Sequence, residues 1–459
     1  LSGHTEYASV AQSGEKPVKL LVKRLAFYNR MRIAEAVHPE KGTYYLFFYQ
    51  NQFLTGKQTT PKKGSMLSRA FRKGTVLDAP HPLIDALFSP PQVLQLKTVT
   101  QLFKAISKQL SPQETVYILS QFDSFISKEK ITEAAKSFFF HYRRSGQFRM
   151  AHQVLITLLD ADPKNQWAHD LSQHMDYLKY RKPYEGGYPE MKAADPLHAE
   201  VLSRKKKNTE PSFKRLQKLL AEQNRWMDQT ALYIHYFKKE EDPSPEYYEA
   251  FANLLSAHFS DRERAIILWD SCKDQLKEGR AKQDLIDALL SDHRLEDAVS
   301  VLIGSENCDS AKLLSLLSSP DMDYKKLDEE KLQSFFIARQ KEEACGQMLG
   351  IIVPNMLKHR DFTSVLNWLL PIPSLMTENF KKMAAYQDDP EQQLELGRLY
   401  HELKQYQKAI DCFSWEMELN PSSPEPVQCL SKTYQEMGMA HEAKAYMSIL
   451  HTMQKASSS

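Results

Sequence analysis

The sequence predicts an all-α protein built from antiparallel helix pairs stacked side by side. Two observations carry this. Residues 390–450 can be laid over themselves with a shift of 34 residues, setting Pro390 on Pro424, Leu396 on Leu430, Tyr400 on Tyr434, Ala409 on Ala443 and Phe413 on Met447. The same template fits Thr132 to Pro163, where Gly146 falls as Gly438 does in the last copy. Repetition at such a period marks units that bury a continuous core only by stacking.

At 459 residues and 42% hydrophobic composition the chain can bury a large core; length alone implies about three domains, and a helical array needs fewer boundaries than that. A net charge of +2, from 60 basic and 58 acidic residues, excludes a chain designed throughout for nucleic acid. The five cysteines, Cys272, Cys308, Cys345, Cys412 and Cys429, are odd in number and show neither CxxC nor zinc spacing, which points to a reducing compartment, the cytosol. No apolar run reaches membrane-span length and the first seventeen residues lack a hydrophobic signal core, so no membrane span is expected.

In chain order, residues 1–17 are small and polar and read as a mobile arm. Residues 18–110 are expected to form an N-terminal helical region. Leu20, Leu21, Arg24, Leu25, Tyr28, Arg32 and Ala36 suit a helix stopped at His38-Pro39. Tyr44 to Leu54 reads as a buried helix, although its aromatics favour strand. No acid stands between Glu40 and Asp78, while Lys41, Lys57, Lys62, Lys63, Arg69, Arg72 and Lys73 accumulate. Clustered cations near aromatics fit an RNA, DNA or acidic-partner footprint. A solvated loop over 56–74 with its rings in a core is the favoured account, because large rings are usually buried.

Ser111-Pro112-Gln113-Glu114 is a capping box and Ser127 caps the next helix. Residues 111–180 follow the repeat template through Phe138, Phe139, Tyr142, Gly146, Phe148, Ala151, Leu155 and Leu158, with Phe139 in place of the small residue. Over 181–211 the pattern fades at Pro183, Gly186, Gly187, Pro189 and Asp195-Pro196, then Arg204 to Lys207 run basic, as in a linker or inserted loop. Residues 212–386 give degenerate hairpins: Phe251, Leu254 and Leu255 before Ala265, Leu268 and Trp269; Leu285 and Leu289 before Leu295, Ala298 and Leu302; Met348–Leu357 before Phe362–Leu370.

Two full units fill 387–453, followed by a 454–459 tail. Asp389 before Pro390 starts a helix, since an acidic cap and a first-turn proline satisfy free donors and preset the backbone. Leu396, Leu399, Tyr400 and Leu403 form one apolar stripe; after a turn at Lys404-Gln405, Ala409, Ile410, Phe413 and Met417 form the next. Gly397, mid-helix, signals close approach of the neighbouring helix, with Ala409 as the small residue facing it. Asn420-Pro421 ends the pair.

The order Leu396, Gly397, Tyr400, Ala409, Phe413, Pro421 resembles the tetratricopeptide repeat. That resemblance implies a right-handed superhelical solenoid whose first helices line a concave groove for a protein or peptide. The groove positions it implies are Leu394, Arg398, His401, Glu402, Gln428, Lys432, Gln435 and Glu436, with Lys136, Phe140, Arg143 and Arg144 in the earlier unit. Leu394, Arg398 and Cys429 stand where one subgroup has the lysines and asparagines that grip a chaperone's C-terminal carboxylate, so that clamp is not expected here.

No GxGxxG, GxxxxGK, HExxH or GxSxG occurs. His401-Glu402 has no second ligand at i+4 and reads as a surface pair; Cys412 and Cys429 read as small packing residues. The chain holds only 15 glycines, which leaves few backbone cradles for phosphates or cofactors. The expectation is therefore a non-catalytic cytosolic scaffold with no catalytic residue, cofactor or metal. A nucleic-acid regulator acting through 41–74 is the second reading, and an enzyme with an unrecognised N-terminal catalytic part the third.

Overall fold

The structure is a computed structural model and describes residues 7–12, 16–240, 244–272, 280–305 and 308–457. It divides into two compact units, 1–275 and 276–459.

The first unit overturns the all-α expectation. Residues 7–95 hold seven strands: β1 (Tyr7–Ala11), β2 (Val18–Tyr28), β3 (Met31–His38), β4 (Gly42–Tyr49), β5 (Gln52–Gln58), β6 (Thr75–Asp78) and β7 (Val93–Gln95). They run β5-β4-β3-β2-β1-β7, with β6 beside the second half of β2; β1 and β7 are parallel and the other pairs antiparallel. The sheet curls into a nearly closed barrel. The Thr55 hydroxyl donates to the Lys97 carbonyl (2.8 Å) and accepts from the Lys97 N–H (2.9 Å), bringing β5 to the end of β7. A side chain at Gly56 would meet the Leu46 and Leu96 methyls at 2.7 and 2.8 Å, so any larger residue has to push those two side chains aside.

The expected helix from Leu20 to Ala36 is the β2–β3 hairpin, and a bulge explains the misreading. The register shifts between Val22 and Arg24, so the buried positions Leu20, Val22, Leu25 and Phe27 slip out of strict alternation. The expected buried helix over Tyr44–Leu54 is the β4–β5 hairpin. Phe47 packs against Phe122 (4.8 Å between centroids) on one face, while Phe48 meets Phe53 and Phe88 (5.3 and 5.6 Å) on the other. A strand covered on both faces shows a continuous apolar run with no period of two. The expected arm likewise contributes β1; its residues 1–6 and 13–15 lie outside the described residues. The expected 56–74 loop contains the end of β5 and α1 (Met66–Lys73), capped by Ser65, whose hydroxyl accepts from the Ser68 N–H.

Helices cover the sheet: α2 (Pro82–Phe88), α3 (Val99–Gln109), α4 (Pro112–Ser120), α5 (Lys128–Arg144) and α6 (Phe148–Ala161). Tyr45, Phe47 and Tyr49 share one core with Leu102, Val116, Phe122, Phe139 and Leu155. Ser111 caps α4 as expected, whereas the Glu114 carboxylate takes the Tyr49 hydroxyl (2.9 Å). The expected linker at 181–211 is helical: α7 (Gln166–Ser172) leads through a Met175–Tyr177 turn to α8 (Leu178–Glu185), α9 (Tyr188–Ala194) and α10 (Pro196–Lys205). Its prolines cut the helices short: Pro189 and Pro196 sit in first turns and Pro183 lies inside α8. The unit continues with α11 (Glu210–Glu222), α12 (Trp226–Phe237), α13 (Pro245–His258) and α14 (Asp261–Cys272).

A buried ion cluster ties the sheet to these helices. Arg32 Nη2 donates to Asp228 Oδ2 (3.0 Å); Arg225 reaches both Asp228 (3.1 Å) and Glu200 (2.9 Å); Arg204 Nε donates to Glu200 Oε1 (2.7 Å). Arg30, in the β2–β3 turn, lies 3.2 Å from Glu200 and 3.5 Å from Glu114. Burial alone would raise the Glu200 carboxyl, but the Arg204, Arg30 and Arg225 guanidiniums override it and bring it down to about 2.

The second unit is helical throughout its described residues. It contains α15 (Arg280–Ser291), α16 (Leu295–Ile303), α17 (Ser310–Leu317), α18 (Glu329–Ala338), α19 (Glu343–Met356) and α20 (Phe362–Leu369). These are followed by α21 (Leu375–Tyr386), α22 (Gln393–Glu402), α23 (Tyr406–Leu419), α24 (Pro424–Glu436) and α25 (Ala440–Ser457). The expected stripe is in place: Leu396, Leu399, Tyr400, Leu403, Ala409, Ile410 and Phe413 are buried. Gly397 faces the Phe413 ring rather than Ala409. Met447, aligned with Phe413, is 45% exposed.

One turn recurs in both units. Gly146, Asn224, His293, Lys404 and Gly438 each take a left-handed conformation between paired helices. The next residue's N–H then donates five residues back in every case: Gln147 to Tyr142 (2.8 Å), and Arg225 to Leu220, Arg294 to Leu289, Gln405 to Tyr400 and Met439 to Tyr434 (each 2.9 Å). This is the helix-ending geometry that satisfies orphan carbonyls.

Candidate functional site

In the first unit the expected positions converge on one face of α5. Lys136, Phe140 and Arg143 are four and three residues apart and share a side of the helix. Ser127 caps its start by accepting from the Lys130 N–H, and Arg143 and Arg144 in its last turn complement the helix dipole. Phe139 points inward, completely buried, against Trp167 (5.3 Å) and Tyr177 (5.9 Å). Phe140 points the other way, 42% exposed and 6.4 Å from Trp167. The Lys136 ammonium lies 5.3 Å over the Trp167 ring, a cation–π contact. Arg143 stands 3.8 Å from Asp176, and Arg144 Nε donates to the Phe140 carbonyl (3.2 Å).

Two residues that the sequence reading missed extend this face. Met175 is 80% exposed and Leu178 46% exposed, on either side of buried Tyr177. Their signal was an apolar pair flanking Asp176 and Tyr177 in a stretch without helical period. Trp167 was also missed; its place in a seven-residue helix gave no stripe to assign it to.

In the second unit α22 and α24 lie side by side, with polar side chains meeting across them. Arg398 lies 3.3 Å from Glu395 and 3.1 Å from Glu425, and His401 Nε2 lies 3.4 Å from Glu436. Tyr406 donates to the same Glu436 carboxylate (3.3 Å). Glu402, Gln428, Lys432 and Gln435 are exposed and Leu394 is half-buried. The structure thus places this second set on a surface, with its cation Arg398 already matched by acids. Cys412 is buried, its thiol pushed up to about 11 by burial, and Cys429 is half-buried.

Most rings of the basic 41–74 stretch are turned inward, with Tyr44 and Phe53 half-buried. Tyr45, Phe47, Phe48 and Tyr49 are buried, and Phe71 packs against Tyr45 (5.7 Å) under Arg24. Among the described residues no group of three or more His, Cys, Asp or Glu side chains is arranged to hold a metal, and no helix is long and apolar enough to cross a membrane. No protein-family model matches the chain, and no curated protein matches it.

Proposed function

We propose that the chain is a non-catalytic cytosolic scaffold of tetratricopeptide-like helix pairs that holds a protein or peptide, with the α5–α7 face as its main contact surface. The observation that carries this reading is exposed apolar surface on two neighbouring segments: Phe140 of α5 beside Trp167, and Met175 and Leu178 flanking Asp176, which lies 3.8 Å from Arg143. Clustered large apolar side chains on a surface mark interaction sites. After Glu133 the α5 helix carries no acid, only Lys136, His141, Arg143 and Arg144; Asp176 on the adjoining turn offsets Arg143, and the balance is basic, so the face suits a segment that alternates acidic and apolar residues. Recurrence of the same left-handed turn at five helix pairs supports the repeat assignment.

The test is a photo-crosslinking residue at Ser137, beside the face, in the intact protein in cells. A discrete crosslinked partner is expected, and the Phe140→Ala/Arg143→Glu double variant should reduce its yield at least tenfold at unchanged helicity. The Arg398→Glu/Lys432→Glu variant asks the same of the α22–α24 face. Capture unaltered by both variants sinks the reading.

A further inference from the structure

A cavity of about 400 Å³ opens between the α10–α11 turn, the end of α12 and the start of α13. Lys207, half-buried, and Lys239, exposed, both line it. Among the described residues neither ammonium has an ion-pair or hydrogen-bond partner, and neither is sealed from the cavity. Of the two lining acids, Glu210 is held by Lys214 (3.0 Å) and Glu240 stands exposed. His235, buried in the wall, fixes a third donor. Burial, with Lys207 and Lys239 nearby, lowers its imidazole to about 3, so the ring is neutral, and its Nε2 pairs with Asn208 Oδ1 (2.9 Å). With the carbonyl end of Asn208 so engaged, the amide nitrogen of this exposed residue is left to donate at the cavity.

The surroundings favour negative charge. Burial, Arg204 and Lys239 push the Lys207 ammonium down to about 7, the direction expected where a cation is desolvated among like charges. An anion beside it relieves that repulsion. Arg204 belongs to the buried ion cluster, in which Arg30, Arg32, Arg204 and Arg225 face Glu200, Asp228 and Glu114 and leave an excess of positive charge. The α11 helix also starts at this cavity with no side-chain cap, since the Thr209 hydroxyl donates to the Lys206 carbonyl instead (2.9 Å). The positive end of its dipole thus adds to the lysines. A tetrahedral dianion offers an acceptor oxygen to each donor and two charges to the two ammoniums; a halide carries one charge and no directed acceptor.

We propose that this cavity binds a phosphate dianion, free or as the monoester end of a larger molecule, on Lys207, Lys239 and the Asn208 amide. The site does not depend on the function proposed above. The experiment titrates the full chain with inorganic phosphate by calorimetry, at ionic strength held constant with sodium chloride, and follows acetylation of each lysine by peptide mass spectrometry. Phosphate should bind saturably, and at ten times its Kd it should slow acetylation of Lys207 about tenfold, because only about one site in ten stays open. Exposed Lys62 and Lys63 should react as before. Lys207→Met and Lys239→Met should each weaken binding at least ~10-fold, the scale of a hydrogen bond to a charged group. Lys207→Arg, which keeps the charge, should retain binding, and so should Lys218→Met, exposed on α11 and outside the cavity. N-acetyl-phosphoserinamide separates the sources: binding tighter than that of phosphate marks a monoester, weaker binding the free ion. No saturable heat, equal protection of Lys207 and Lys62, or equal loss in Lys207→Met and Lys218→Met overturns the site.

Discussion

A methyl group on Gly397 would sit 2.5 Å from the nearest carbon of the Phe413 ring, well inside contact distance. Glycine in mid-helix weakens the helix by roughly 0.5–1 kcal/mol against alanine, so local propensity alone would favour Gly397→Ala. Packing reverses the sign, because forcing a carbon into that seam costs ~1–3 kcal/mol. Urea denaturation of Gly397→Ala should therefore show a loss of stability, and the Phe413→Leu background, with a smaller side chain, should remove most of it. Strict additivity of the two changes would show that the ring does not exclude the methyl. The need for glycine here was legible from its position in the stripe. Its partner was not: sequence spacing selects the facing helix, but the reach of a phenylalanine ring, rather than the small Ala409, decides which side chain arrives.

At the scale of elements, the hairpin turn at Asn29-Arg30 is as consequential as any helix. It brings Arg30 and Arg32 into contact with acids on α10 and α12, and Glu200 sits among three guanidiniums at 2% exposure. Glu200→Gln leaves those arginines facing one another with less negative charge, and breaking such a buried cluster costs about 3–5 kcal/mol. The pH dependence follows from the direction of the shift. A carboxyl held at about 2 when folded, against an ordinary value near 4.5, adds stability that is complete above that ordinary value. The contribution is lost as pH falls from there toward 2. The wild-type denaturation midpoint should decline steeply across this window, and Glu200→Gln should start lower and decline less. Parallel slopes would remove Glu200 from the acid response. None of this was visible in sequence, since Arg32 and Asp228 are far apart along the chain and the bulge in β2 imitates helical spacing. The helix pairs were legible because their contacts are local: α5–α6, α13–α14, α15–α16 and α22–α25 all lie where turn residues and stripes place them.

At the scale of the molecule, the sheet raises the question of whether it is an independent module or part of the first unit's core. The packing answers for the latter. Phe47 on β4 and Phe122 after α4 share one apolar cluster with Val116, Phe139 and Leu155, and the ion cluster joins β3 to α10 and α12. The sequence reading separated residues 18–110 from the repeats because aromatic runs covered on both faces carry no period. For the candidate site it reached Lys136, Phe140 and Arg143 through a repeat template, and it missed Trp167, Met175 and Leu178, which lie in and beside short helices that show no apolar stripe. A chain beginning at Leu96 should therefore lose the first unit's core while keeping the second unit, which buries its own. Hydrogen exchange makes the distinction: amides of α4–α6 and α12 should exchange orders of magnitude faster than in the full chain, because only global stability protects a core helix. Those of α22–α25 should stay protected. Retained protection of α4–α6 without the sheet would mean that the helices stand by themselves and that the shared core contributes little to holding the α5–α7 face in place.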